Sequence, residues 1–290
     1  MLTEQLNFQA CVGYFFKEVE EMEENGKELD YKYGALVAKL LSDGDMRGDR
    51  TGTGTWSLFG ESLDLDISEY FPLLTLKNTW WHGVLTEFIW MVVKGETNIE
   101  FLKKNGVNVW DEWADPDGNL GPIYGKQFRD CDGVDQVAEL IKGLKENPLS
   151  RRHLLSAWHL PDMLKSKLPC CHGTVVQFYV RGGYLDCQMY QRSADVFLGV
   201  PWNIAFYGLF TYVLGYLTGL QPGRLKVVYG DVHLYQNHTN QALEMLRRLP
   251  KTSPKLKITS YFEDIDCLDF SCVSLSDYKP YPSISAPIAV

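Results

Sequence analysis

Two segments constrain the fold of this chain more than any other feature. WWHGVLTEFIWMVVKG opens a helical pattern across residues 80–104, and WNIAFYGLFTYVLGYLTG occupies residues 202–219. In both, apolar and aromatic residues take nearly the whole helix circumference, so neither can lie on a wetted surface. No run reaches the roughly 18 apolar residues of a membrane span, so protein must cover them. Other elements with an apolar face therefore have to surround them.

Strands supply that face. TVVQFYVRGGYLDCQMYQRS (174–193) reads as two strands joined at Gly182-Gly183, a pair suited to a tight hairpin. SRRHLLSAW (150–158) and KLKITSYF (255–262) read as further strands, and RGDRTGTGTWSLFG (47–60) as a loop feeding one. Helices are expected from Tyr33 to a stop at Gly44, over 134–145, and in HTNQALEMLRRLP (238–250). DEWADPDGNLGPIYG (111–125) is rich in Gly, Pro and Asp and reads as loop. Helices and strands alternate without a βαβ rhythm, which argues for an α+β fold with one large mixed, twisted sheet flanked by helices rather than a doubly wound one. With no repeat and no linker, a single domain is expected over 31–290. The acidic stretch FFKEVEEMEENGKELD reads as an exposed helix ending at Asn25-Gly26, so residues 1–30 form a helical extension outside it.

The formal net charge of −9 disfavours a nucleic-acid partner, which calls for a basic face. A small anion needs only a few converging arginines. The seven cysteines are irregularly spaced, with no CxxC pair and no Cys/His grouping of zinc-ligand spacing. Free thiols in a reducing, cytoplasmic compartment and no metal are expected. The first residues carry no signal-peptide pattern, and no membrane association is expected.

Four segments could carry chemistry. In LPCCHG (168–173) a cysteine precedes a histidine at a strand start, read either as an activated thiol or as two buried ones. YQRSADVFLGVPWNIA (190–205) joins Arg192, suited to an anion, to Asn203, whose amide can read a planar base edge. Arg151 and Arg152, with Arg50 of the RTGTGT run, suit a phosphate, although surface arginine pairs are common. In GDVHLYQNH (230–238), His233 and Tyr235 share one face of an extended run and could bond a sugar hydroxyl.

Taken in order, DRTGTGT (49–55), NVWDEWAD (108–115), LGPIYGKQFR (120–129), SRRHLLSAW, LPCCHG, YQRSADVFLGVPWNIA, GDVHLYQNH and the terminal APIAV (286–290) make the chain resemble the thymidylate synthase family over roughly 33–290. The resemblance implies that Cys171 is the nucleophile that adds to C6 of deoxyuridine monophosphate (dUMP). It implies that Arg50, Arg192 and Ser193 hold the phosphate, with Arg151 and Arg152 reaching in from a partner subunit. Asn203 would bond the uracil edge, and His233 and Tyr235 the ribose. Glu87 would organise water and proton transfers, with Tyr124 and His172 beside the thiol. Trp80, Val109, Trp110, Asp195, Leu198, Gly199 and Trp202 would wall the folate, and Ala289-Val290 would close over it. Asp195 would also serve the chemistry. A homodimer with shared sites, pairing through the sheet face, is implied as well.

The implied reaction is reductive methylation of dUMP to dTMP with 5,10-methylenetetrahydrofolate. Arginines near Cys171 should favour its thiolate. Several positions depart from the family pattern. Cys170 stands where proline usually precedes the nucleophile, and Asn78 where arginine is usual. Trp202 replaces a phenylalanine, and Phe206 and Gly208 replace small residues in the helix after Asn203. These departures keep open a dUMP hydroxymethylase of the same superfamily, in which water quenches the exocyclic methylene to give 5-hydroxymethyl-dUMP. An inactive binding protein on this scaffold would have lost the nucleophile or the arginines, and both are present.

Overall fold

A computed structural model describes residues 26–288. Helix α1 (Glu28–Asp43) leads through strands β1 (Asp45–Arg47), β2 (Thr55–Phe59) and β3 (Ser62–Asp66) to helix α2 (Trp81–Phe88). Short helices α3 (Glu100–Lys104) and α4 (Gly125–Arg129) precede α5 (Gln136–Glu146), β4 (Leu154–Leu155) and α6 (Leu160–Met163). The centre follows: β5 (Val175–Arg181), β6 (Tyr184–Asp195), α7 (Gly199–Thr218) and β7 (Gln221–Tyr235). Helix α8 (Thr239–Met245) and strands β8 (Lys255–Ile258) and β9 (Val273–Ser276) complete it.

Seven strands form one sheet in the order β1-β2-β7-β6-β5-β4, with β3 also on β7. All pairs are antiparallel except β6 with β7, so the sheet is mixed as expected. That parallel pair requires a crossover, and α7 is the crossover. Its residues from Asn203 to Thr211 are all buried, which explains its apolar circumference. Gly208 permits the approach of Pro72, whose ring would collide with any added Cβ. Gly182 and Gly183 sit at φ +55° and +84°, which a two-residue hairpin of this twist demands.

Burial alternates along β5 and β6. Val176, Phe178, Val180, Leu185, Cys187 and Met189 face the core, while Val175, Tyr179, Tyr184 and Tyr190 stand exposed on the other face. Val175 pairs directly with Tyr190, so these residues form a patch rather than scattered points.

Four expectations need correcting. The helix expected from Tyr33 starts at Glu28, because Leu29, Asp30 and Tyr31 are already buried. The pattern across 80–104 is not one helix: α2 passes into a π-helical turn at Ile89–Val93 and breaks before α3. Arg129 ends that turn by donating to the carbonyls of Val92 and Val93 at 2.8 and 2.7 Å. SRRHLLSAW is extended in register only at Leu154–Leu155. KLKITSYF contributes only Lys255–Ile258, in a separate two-stranded sheet with β9. The long β7 was legible only in its last residues. The helix expected within 1–25 and the closing residues Ala289 and Val290 lie outside the described residues.

Candidate functional site

The C-terminal part of β6 meets Cys171, whose carbonyl accepts from the Arg192 amide at 2.9 Å, and the end of β7 runs parallel beside it. Cys170 and Cys171 follow one another in the segment between α6 and β5, and their environments differ. Cys170 is fully buried, with its sulfur near Gln127 and the Tyr124 backbone, whereas Cys171 is partly open. Burial pushes the Cys170 thiol up to about 12.

Tyr124 reaches Cys171 through a backbone held at φ +30°, a region costly for a bulky residue. Its hydroxyl accepts from the Cys171 amide at 2.9 Å and lies 3.5 Å from the Cys171 sulfur. The Tyr124 ring stacks on His172 at 4.4 Å between centroids. His172 hydrogen-bonds the Tyr207 hydroxyl through Nδ1 at 3.0 Å, and burial pushes its pKa down to about 3, so it is neutral. Gly173, at φ +58°, leaves room for that hydroxyl.

Arg192 donates to the carbonyls of Cys170 and Pro169, both at 2.8 Å, and its guanidinium lies over the Trp158 ring. Arg192 favours the Cys171 thiolate, as expected of a nearby cation, but it does not set the net direction. Burial raises the Cys171 pKa, and the lowering from Tyr124 and Arg192 only partly offsets it. The net effect of these surroundings favours the protonated thiol.

Glu87 lies on the face of α2 that meets α7. The Trp110 indole donates to its Oε1 at 2.7 Å and the Trp202 indole to its Oε2 at 2.6 Å. Burial raises its pKa to about 7 against the lowering of these two donors. Asn203, on the first turn of α7, accepts at Oδ1 from Gln191 Nε2 at 2.9 Å. This bond fixes the amide orientation and leaves the nitrogen of Asn203 without a hydrogen-bond acceptor among the described residues. The Asp195 carboxylate accepts from the amides of Phe197 and Leu198 at 2.9 and 3.1 Å, shaping the turn into α7 that carries Leu198 and Gly199.

His233 and Tyr235 stand on β7 with rings 5.3 Å apart, and His233 Nδ1 lies 3.2 Å from Asp231. The parallel register sets His233 beside Asp195. Ser193, half-buried, is two residues upstream. Arg50 lies in the 48–54 loop, where Asp49 accepts from Gly54 N at 2.9 Å. Arg50, Arg151 and Arg152 are exposed, and their guanidinium groups have no hydrogen-bonding partner among the described residues. Arg151 and Arg152 sit just before β4, at the border of the open sheet face. Trp80 is 41% exposed beside Gly83, Trp110 is buried and Val109 half-buried.

Sequence reasoning missed several participants. Gln191 and Tyr207 lay within quoted strings without a role, and their contacts with Asn203 and His172 appear only after folding. Lys77 is buried over the Phe197 ring at 4.9 Å, and burial lowers its pKa to about 8. Trp202, expected in the folate wall, also donates its indole N–H to Glu87, a contact the sequence did not announce.

A partly open thiol, a buried carboxylate near neutrality and an oriented planar amide thus stand beside the ends of a mixed sheet. The sequence model of the thymidylate synthase family matches residues 31–290. This chain belongs to that family, and with it to the folate-dependent one-carbon transferases.

Proposed function

We propose that the protein is a thymidylate synthase in the strict sense: a methyltransferase of dTMP biosynthesis that converts dUMP to dTMP with 5,10-methylenetetrahydrofolate. The observation that carries this reading is the buried Glu87 beside Cys171, held by the indole of Trp202, the residue that precedes Asn203 on α7. Glu87 lies close enough for its charge to raise the Cys171 pKa.

Cys171 forms the bond to C6 of the uracil, turning C5 into a carbon nucleophile. Its proton must leave first, and the Arg192 cation lowers that cost. Asn203 donates to O4 through its free nitrogen and accepts from N3–H through the lone pair Gln191 leaves open. His233 and Tyr235 bond the ribose hydroxyl. Arg50, Arg192 and Ser193 take the phosphate, joined by Arg151 and Arg152 of a second copy.

The folate supplies the one-carbon unit and the hydride. Trp80, Val109, Trp110, Asp195, Leu198, Gly199 and Trp202 hold it, and the exposed Trp80 indole suits a flat heterocycle by stacking. Ala289 closes over it in this reading. Glu87, poised near pH 7, accepts and returns protons at C5 and O4, with Tyr124, His172 and Asp195 supporting the thiol and the folate wall.

The homodimer pairs the open faces of β5 and β6, where Val175, Tyr179 and Tyr190 lie exposed beside Arg151 and Arg152. Among the described residues no helix is long and apolar enough to cross a membrane, and we place the enzyme in the cytoplasm.

Mass spectrometry of the nucleotide product, with dihydrofolate absorbance alongside, tests the reading. Thymidylate with dihydrofolate is the expected result. Hydroxymethylated nucleotide without dihydrofolate would replace it with the hydroxymethylase.

A further inference from the structure

We propose that Trp202 is a positioning residue for Glu87: together with Trp110 it clamps the carboxylate between two indole N–H groups, and Gly83 exists to seat it. The two donors approach different oxygens, at 2.6 Å from Trp202 and 2.7 Å from Trp110. An indole donates but cannot accept or relay a proton. Trp202 therefore occupies a place on Oε2 where a water could otherwise sit, and it narrows the routes by which protons reach Glu87.

Gly83 and Glu87 are four residues apart on α2 and share a face. The Trp202 ring lies so close over Gly83 that any Cβ there would run into it and into the Trp80 ring. The three residues are thus fitted to one another: bare backbone at 83, a large ring from α7 laid across it, and the ring's N–H delivered to the carboxylate one turn on.

The charge balance around Glu87 gives this contact a consequence. The titratable groups that feel its charge from other elements are the Cys171 thiol and the Tyr207 phenol. His172, beyond them, is neutral, and no cation pairs with Glu87 among the described residues. The indoles are what favour the ionised form against burial. Losing one moves the titration of Glu87 upward, whether the reaction needs the acid or the base.

The proposal rests on Glu87 serving the proton transfers of the function proposed above, and its test separates the two. Tritium release from C5-labelled dUMP is measured against pH, a step common to methylation and hydroxymethylation. In Trp202→Phe the inflection belonging to Glu87 should move up by about one pH unit, with dUMP affinity and melting temperature nearly kept. Gly83→Ala should move it the same way with the indole still present.

In the unmodified protein, two indole N–H resonances, assigned with Trp110→Phe and Trp202→Phe, should titrate together and stop doing so in Glu87→Gln. An unmoved inflection in folded Trp202→Phe overturns the proposal. So does a Trp202 resonance indifferent to Glu87→Gln, which decides the matter if the Phe variant does not fold. Absence of tritium release from the unmodified enzyme would instead count against the proposed function, and the indole titration would still decide the Trp202 contact.

Discussion

The two ends of the site are built to different degrees. At the Glu87 end, both carboxylate oxygens accept from indoles, and the rings that deliver them are fixed by the packing of α2 against α7. At the arginine end, Arg50, Arg151 and Arg152 reach into solvent with no partner among the described residues. Arg192 stands between, anchored on two main-chain carbonyls. A monomer can finish the first end because its pieces belong to a core that must close anyway. In the function proposed above, the second end is completed by an anion and a second chain, because an arginine buried without either would be an unpaired charge.

The largest effect expected from this difference lies at the finished end. Cys171→Ser should cut turnover by at least about a thousandfold, whereas Cys170→Ser should leave most of it. Cys170 has its sulfur buried against Gln127 and Tyr124, so the reverse outcome in steady-state assays would mean that the wrong thiol faces substrate.

Next comes base choice. Gln191 holds the Asn203 amide in one orientation, so Asn203→Asp should raise the ratio of dCMP to dUMP turnover by about tenfold to a hundredfold. If the unmodified protein already prefers dCMP, the orientation argument fails.

The unfinished end is probed by mixing. Arg151→Ala with Arg152→Ala in one protein, and Cys171→Ala in the other, should each be nearly inactive. Together they should recover about a quarter of full activity, since half the dimers are hybrids and each hybrid has one intact site of two. No recovery after verified subunit exchange would place the two arginines in their own subunit's site, or in none.

The smallest effect is thermal. At a hundred times its dissociation constant, dUMP should stabilise the protein by about 2.7 kcal/mol, a rise of a few degrees in melting temperature. Arg50→Ala should shrink the rise, and added salt should shrink it further. A shift equal in Arg50→Ala would show that the phosphate is held elsewhere.

Much of the site was legible as sequence because the chemistry demands particular residue types in local strings. Cys171 next to His172, Arg192 followed by Ser193, and His233 alternating with Tyr235 are neighbours in the chain as well as in space. The apolar circumference of α7 announced a buried helix, and the two glycines at 182 and 183 announced the hairpin. The break in the long helical pattern after Phe88 was not legible, because a π-helical turn keeps an apolar composition. It depends on Arg129, from 36 or more residues away, taking the carbonyls it frees.

The sequence by itself determined which groups the chain owns: the thiol, the carboxylate, the amide and the arginines, and the buried helix that carries some of them. Only the tertiary structure decided what state those groups are in. Glu87 and Trp202 are 115 residues apart, and nothing local to either says that they share a hydrogen bond. Cys171 lies beside an arginine, yet burial outweighs that cation and keeps its proton on. Residue identity is a property of the chain, but dielectric environment and donor geometry arise only where distant segments pack together, and those set the proton affinities on which the chemistry runs.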